Sequence, residues 1–217
     1  MRKLALLLAT ALTALALVSA AQAHVTLHPN ALPSGGFQTF VVRVPNERPK
    51  ASTTKVDVKF PSGFIFLSYA AVPGWNAQVI YRKLAKPVTV FGEKFTQEVD
   101  RVVWTARAGG VKPGQFIEFP LSIAMPSAKA GTLLTFKAVQ TYSNGEVVRW
   151  IGPPSADEPA PQVMVTNANS PVRDYPGGVS AARKGQSASD HILGFVVGLP
   201  LLGAAGLGIL YRRRRHS

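Results

Sequence analysis

The chain is 217 residues long and 47% of its residues are hydrophobic, so it can form an apolar core of its own. It contains no cysteine, which excludes both a disulfide framework and a thiolate metal site. Of the formal net charge of +13, the two ends contribute +6; between them, residues 24–190 carry 18 basic against 11 acidic residues, a net charge of +7. This moderate charge suits an anionic envelope surface. The sequence lacks the clustered basic stripe of a nucleic-acid-binding protein, so no nucleic-acid partner is expected.

Residues 1–23 have the three parts of a secretory leader. A basic pair follows the first methionine, an apolar run dominated by Leu and Ala comes next, and the sequence A-Q-A supplies a small-x-small cleavage pattern. The apolar run is shorter than the ~20 residues that a membrane-spanning helix needs. We therefore predict a signal peptide that is cleaved after Ala23. A cut after Ala20 is the alternative, and it would leave three extra residues ahead of His24.

Residues 24–166 predict one all-β domain, an antiparallel β-sandwich of immunoglobulin-like or cupredoxin-like type. Short runs of β-branched and aromatic residues alternate with turn signals, and no segment shows a long helical period. Asn144-Gly145 between two such runs predicts a hairpin, because both residues tolerate a positive φ. Trp75 and Trp104 are predicted to lie in the core. The predicted strands cover residues 37–44, 56–60, 78–81, 99–106, 116–123, 133–141, 147–151 and 163–166.

The chain changes character twice after the predicted sandwich. Residues 167–190 are rich in Ser, Gly, Asn and Pro, which is typical of a flexible linker. Residues 191–211 predict a single transmembrane helix, because their uncharged stretch is long enough to cross a hydrocarbon core. Four arginines follow within the tail, residues 212–217. They indicate a cytoplasmic C-terminus and a domain on the extracellular or periplasmic side of the cell membrane.

Signatures of enzymes are scarce in this sequence. Only His24, His28 and His191 lie between the leader and the tail, so a Ser-His-Asp triad has almost no base to draw on. Phosphate-binding glycine loops and zinc-protease helices are absent, and the spacing of the glutamates selects no catalytic pair. We therefore predict a protein without enzymatic activity.

Cleavage after Ala23 makes His24 the first residue of the mature protein. Its α-amine and its imidazole Nδ1 can then close a six-membered chelate ring on one metal ion. Two nitrogen donors of this kind suit Cu(II), which also stands at the top of the divalent affinity order. An α-amine has a pKa of roughly 8, so copper can displace its proton near neutral pH. A surface histidine without a metal is the alternative interpretation.

A set of short motifs follows in order along residues 24–165. They are H-V-T directly after the leader, F-V-V-R-V-P-N-E, P-G-W, V-W-T, P-G-Q-F and K-A-V-Q-T-Y, followed by G-E and Trp150. Together they resemble the YcnI-like bacterial copper-binding domains, and the predicted C-terminal anchor fits that family as well. The motifs are specific as a set, although each alone is weak.

The resemblance implies a β-sandwich that holds Cu(II) in a mono-histidine brace. The amine and imidazole of His24 carry over as ligands, Glu47 as a carboxylate ligand, and Trp150 as a tryptophan beside the metal. A carboxylate would offset the charge of the ion, and an indole would screen one side of it and offer a cation–π face. Without the family, Glu47 is interpreted as a solvated loop residue and Trp150 as a core residue.

The sequence thus predicts an envelope Cu(II)-binding protein that stores copper or delivers it to a membrane copper transporter. The membrane anchor would raise the effective concentration of the site near such a partner. Two other classes stay open. A copper monooxygenase also uses an N-terminal histidine brace but ordinarily adds a second histidine, for which His28 is the other candidate outside the linker. The third class is a metal-free adhesin or ligand-binding sandwich.

Overall fold

The computed structural model describes residues 24–175 and 178–179. The predicted leader, the predicted membrane helix and the tail lie outside the described residues, and so does most of the second half of the predicted linker. Within the described part of the chain, no helix is both long enough and apolar enough to cross a membrane. The described part contains twelve strands: β1 (Thr26–His28), β2 (Ala31–Pro33), β3 (Phe37–Pro45), β4 (Thr53–Lys59), β5 (Leu67–Tyr69), β6 (Trp75–Val90), β7 (Glu93–Ala106), β8 (Phe116–Ala124), β9 (Leu133–Thr135), β10 (Lys137–Tyr142), β11 (Val147–Trp150) and β12 (Gln162–Thr166).

These strands form three sheets. A four-stranded sheet has the order β1-β3-β8-β5, a five-stranded sheet has the order β11-β10-β4-β7-β6, and a small sheet has the order β2-β12-β9. Neighbouring strands are antiparallel except β2 and β12, which run parallel. The predicted all-β fold is therefore confirmed, with this one pair as an exception to the predicted antiparallel pairing.

The core lies between the four-stranded and five-stranded sheets. Alternate residues of β3 point inward, so Phe40, Val42 and Val44 are buried, as expected for strands with one face on the core. Trp104 of β7 stacks on Phe119 of β8 with ring centroids 4.6 Å apart. Because this contact joins the two large sheets, it confirms Trp104 as a core residue. Trp75 meets the same phenylalanine edge-on at 5.1 Å and is also buried, as predicted.

The predicted strand over residues 133–141 is two strands in the structure. Its first part, β9, belongs to the small sheet and its second part, β10, belongs to the five-stranded sheet. The break falls at Phe136, which is fully buried and meets Phe40 at 5.7 Å and Phe60 at 5.0 Å. A sequence pattern that is apolar on both sides of the break could not reveal this change of sheet.

The predicted hairpin at Asn144-Gly145 is confirmed. Gly145 has a φ of 86°, and the backbone N–H of Tyr142 donates to the carbonyl of Glu146 at 2.9 Å. The turn joins β10 to β11, which is the edge strand of the five-stranded sheet. Trp150 is the last residue of β11. The turn sets the pairing register of β10 and β11, which places Trp150 opposite Ala138.

Candidate metal centre at the N-terminus

The first described residue, His24, packs against Trp150. The two ring centroids lie 5.6 Å apart with an angle of 59° between the ring planes. His24 is half-buried, whereas Trp150 is only 6% exposed. Among the described residues the imidazole makes no hydrogen bond. Both ring nitrogens are therefore without partners in the part of the chain that the structure describes, and the buried indole packs at an angle against the ring.

Trp150 is held in place by a buried glutamine. Its indole Nε1 donates to the Oε1 of Gln140 at 3.1 Å. Gln140 is 0% exposed, and its Nε2 donates both to the carbonyl of Pro45 at 2.9 Å and to the Oγ1 of Thr53 at 2.7 Å. A buried side-chain amide whose oxygen and nitrogen are both hydrogen-bonded restricts the positions of the groups that it bonds. Gln140 thus ties the indole to the end of strand β3.

Glu47 follows directly on that end of β3. Strand β1 pairs with β3 so that Thr26 lies opposite Arg43, and continuing this antiparallel register by two residues sets His24 opposite Pro45. Glu47 is two residues further along. Its side chain is exposed, and among the described residues its carboxylate makes no hydrogen bond and no ion pair. The fold therefore brings the backbone that carries Glu47 to the His24 end, without a direct bond between the two side chains.

The backbone on either side of Glu47 is fixed by Asn46. This residue is 1% exposed, and its Nδ2 donates to the carbonyls of Ala51 and Val111 at 2.7 and 2.8 Å. Its Oδ1 accepts from the backbone N–H of Arg48 at 2.9 Å. Glu47 is thus an exposed side chain on a rigid loop. Such a carboxylate can turn toward a ligand without a change in the backbone.

The neighbouring cation does not neutralise Glu47. Arg48 donates from Nε to the carboxylate of Glu146 at 2.8 Å and also donates to it from Nη2. The hydrogen bond from Arg48 lowers the pKa of Glu146 and raises that of Arg48 above its usual value. Burial raises the pKa of Tyr142, and the carboxylates of Glu146 and Glu47 act in the same direction. Glu47 therefore lies within electrostatic range of Tyr142 while the charge of Arg48 is directed at Glu146.

His28 is engaged elsewhere. Its Nδ1 lies 2.7 Å from the Oδ2 of Asp174 and its Nε2 lies 2.8 Å from the Oγ1 of Thr26. The adjoining backbone of Arg173 exchanges two hydrogen bonds of 3.0 Å with Ala31. Both ring nitrogens of His28 are therefore occupied: Nδ1 helps to attach residues 173–174 to the domain, and Nε2 contacts Thr26 within β1.

The described side chains contain no group of three or more His, Cys, Asp and Glu residues that could hold a metal ion. A ligand set at this end would consist of the imidazole of His24, the carboxylate of Glu47 and the α-amine that leader cleavage would create. Amine, imidazole and carboxylate are donors that Cu(II) accepts. The chemistry of the available donors therefore fits copper, provided that His24 is the N-terminal residue.

Two residues of this end were missed by the sequence reasoning. Gln140 and Asn46 were not predicted to have a role at the site. Gln140 bonds the indole of Trp150 to the end of β3, and Asn46 fixes the loop that carries Glu47. A signal for Gln140 was present, because it alternates with Ala138 and Tyr142 on the inward face of β10. A polar residue at an inward strand position indicates a buried hydrogen-bond network.

Comparison with known proteins agrees with this fold. The copper-binding protein CutI of Bacillus subtilis (strain 168) is 29% identical over 177 residues, which cover 81% of this chain and 79% of that protein. A crystal structure of an uncharacterized protein from Nocardia farcinica, described as an immunoglobulin-like fold, is 35% identical with a TM-score of 0.52. That match covers 66% of this chain and 99% of the other. It supports the immunoglobulin-like form of the predicted sandwich.

The family model described as a domain of unknown function, DUF1775, matches residues 24–165. This match spans most of the chain, begins at His24 and ends within β12. The resemblance to YcnI-like domains that the motifs indicated is thereby confirmed, and the chain belongs to the DUF1775 family.

Proposed function

We propose that this protein binds one Cu(II) ion at its mature N-terminus and stores or delivers copper in the cell envelope. The observation that carries the proposal is the packing of the His24 ring against the buried Trp150, with 5.6 Å between the ring centroids. The family match begins at the same histidine. A relative whose name is copper-binding protein CutI supports copper as the ion.

The proposed ligands have separate tasks. The α-amine and Nδ1 of His24 close the chelate ring, and the carboxylate of Glu47 adds an anionic oxygen that offsets the charge of the ion. Trp150 shields one side of the site from water and offers its π-face to the cation. Gln140 keeps the indole in this position through the bond from Nε1. The proposal depends on removal of the leader, because an amide nitrogen ahead of His24 would not supply the amine.

Binding without substrate turnover is favoured by the contacts of His28. A copper monooxygenase with a two-histidine brace would need a second imidazole on the ion. His28 holds Asp174 at 2.7 Å and Thr26 at 2.8 Å through its two ring nitrogens. To bind copper it would have to break at least one of these contacts. We therefore propose a carrier or storage protein, anchored by residues 191–211, that passes copper to a membrane transporter.

The test combines N-terminal sequencing with copper titration of the same mature protein. Four glycines inserted between Ala23 and His24 should lower the affinity for Cu(II) by at least tenfold, because the amine then lies too far along the chain to share a chelate ring with the imidazole. The same insertion between Ala168 and Asn169, far from the N-terminus in sequence, is the control and should leave affinity unchanged. Sequencing must show that the inserted residues are retained. Equal affinities of a verified extended form and the native form would refute the brace.

A further inference from the structure

The end of the sandwich opposite His24 carries a cluster of exposed phenylalanines. We call Phe37, Phe66 and Phe91 the aromatic end. The ring of Phe37 stacks on Phe91 at 5.1 Å and meets Phe66 edge-on at 5.4 Å. Even so, their exposed fractions are 56%, 41% and 64%, respectively. Contiguous exposed apolar surface of this kind marks an interaction site.

The aromatic end joins the two large sheets, because the long β6–β7 hairpin of the five-stranded sheet reaches the four-stranded sheet there. Phe37 begins β3 and pairs with Ala124 of β8, whereas Phe91 lies in the turn between β6 and β7. The turn is tight: Phe91 has a φ of 52° and Gly92 a φ of 82°. A bulky residue is uncommon in the left-handed region. The hairpin shifts register twice along its length, and its turn delivers the ring of Phe91 onto Phe37.

The charges around the aromatic end are mainly positive. The outer half of the hairpin, residues 83–97, contains three lysines, Lys83, Lys86 and Lys94, against one carboxylate, Glu93. All four side chains are exposed. None of the three lysines is in an ion pair within the described residues. The hairpin therefore presents exposed aromatic rings beside unpaired cations.

We propose that the aromatic end docks onto an anionic lipid surface. Phenyl rings that enter the boundary between headgroups and acyl chains, flanked by lysines that attract anionic lipids, are the features of peripheral membrane binding. The three rings expose together about 300 Å², taking ~200 Å² for a whole phenylalanine. A stable protein–protein interface needs about 800 Å² per partner. The surface is thus too small for a stable dimer and suited to shallow insertion into a bilayer.

The predicted anchor brings such a surface within reach. Val179 is 2% exposed and so belongs to the packed domain. Eleven residues separate it from residue 191, and fully extended they would span up to ~40 Å. Strand β3 runs from Phe37 at the aromatic end to Pro45 at the His24 end, about 26 Å at ~3.3 Å per residue. A domain docked through its aromatic end would therefore present His24 away from the bilayer. This orientation favours uptake of a ligand from outside, and undocking would be required before His24 could approach a membrane partner.

The test uses the full chain with its anchor, reconstituted into vesicles. Because the chain has no cysteine, Phe91→Cys introduces one site for an environment-sensitive fluorophore. In vesicles of equal parts phosphatidylglycerol and phosphatidylcholine, we expect blue-shifted emission and at least twofold quenching by nitroxide-labelled lipid. In pure phosphatidylcholine, or after Lys83→Glu, Lys86→Glu and Lys94→Glu together, the quenching should fall to the level of a water-exposed label.

Lys50→Cys with the same fluorophore is the control, because Lys50 is exposed on the loop after β3 that carries Glu47, at the other end of the domain. Its emission should not depend on the lipid. Equal quenching at both labelled positions, or quenching of the label at position 91 that ignores lipid charge, would overturn the proposal. If the label at position 91 becomes shielded from water as the protein concentration rises, in every lipid, a second copy of the chain covers the aromatic end and the proposal is also overturned. None of these outcomes would bear on copper binding at His24.

Discussion

Trp150→Phe should destabilise the metal-free protein by about 2–4 kcal/mol. The phenyl ring keeps an aromatic group on β11, but it removes the indole Nε1 that donates to Gln140 at 3.1 Å. Because Gln140 is 0% exposed, its Oε1 loses a partner that water cannot replace, at a cost of about 1–3 kcal/mol. The smaller ring also leaves a cavity, which adds about 1 kcal/mol. Urea denaturation of the mature protein in detergent, followed by circular dichroism, measures the sum.

Trp104→Phe is the matched control. Trp104 is also buried, but its Nε1 has no hydrogen-bond partner within the described residues, and its ring stacks on Phe119. The substitution therefore removes packing without breaking a hydrogen bond, and we expect a loss of about 1–2 kcal/mol. If Trp104→Phe costs as much as Trp150→Phe or more, the hydrogen bond to Gln140 does not have the weight assigned to it.

The same variant tests the proposed copper site by fluorescence. Cu(II) quenches an indole that lies close to it, and Trp150 is in ring contact with His24 at 5.6 Å. Most of the quenching in the native protein should therefore disappear in Trp150→Phe. Trp75 and Trp104 are still present in that variant and report any quenching at longer range. Undiminished quenching with an unchanged Cu(II) absorption band would make Trp150 a structural residue only.

The other two predictions concern carboxylates. Glu47→Gln should weaken Cu(II) binding several-fold, because a neutral oxygen replaces an anionic donor. Glu93→Gln, at the first residue of β7, is the control, and equal effects in titration would show that general charge governs uptake. Asp100→Asn should reduce the loss of stability in acid. The hydrogen bond from Arg101 lowers the pKa of Asp100, so its stabilisation is complete above its unfolded-state pKa of about 4 and disappears as the pH falls through the folded value. Denaturation midpoints between pH 6 and pH 2 should therefore fall less steeply in the variant, and parallel profiles would contradict the assignment.

The sandwich was predictable because its strands carry strong local signals. Alternating burial in β3 and β4 and the Asn144-Gly145 turn have a physical basis within a few neighbouring residues. The short strands β1 and β2 were missed, since three residues on each side of Pro29 contain too little pattern to be recognised. Strand β1 pairs with β3 across an intervening strand of another sheet, and β2 pairs with β12, which lies at the far end of the described domain in the sequence. Long-range pairing of this kind is invisible to local periodicity.

The candidate site was predictable as a set of residues and not as an arrangement. A histidine after the predicted leader and the family motifs pointed to His24, Glu47 and Trp150. Local patterns alone favoured a solvated loop residue for Glu47 and a core residue for Trp150. The structure shows that Trp150 is buried and also in contact with His24, so the two interpretations of this residue are compatible. The sequence carried a signal that Gln140 is buried, but it could not reveal the partners of Gln140, because the hydrogen bonds to Trp150 and Pro45 join three separate strands.

The chemistry of the proposed site would make copper binding depend on the predicted export. Before the leader is removed, the nitrogen of His24 belongs to a peptide bond and cannot act as an amine donor. The imidazole of His24 and the carboxylate of Glu47 would then be the donors left at this end, and no cluster of three metal-binding side chains exists among the described residues to replace the chelate. A precursor in the cytoplasm would therefore compete poorly for copper. In the proposed function, cleavage would add the missing donor only after the chain has crossed the membrane, and copper loading would then be confined to the compartment in which the mature protein works.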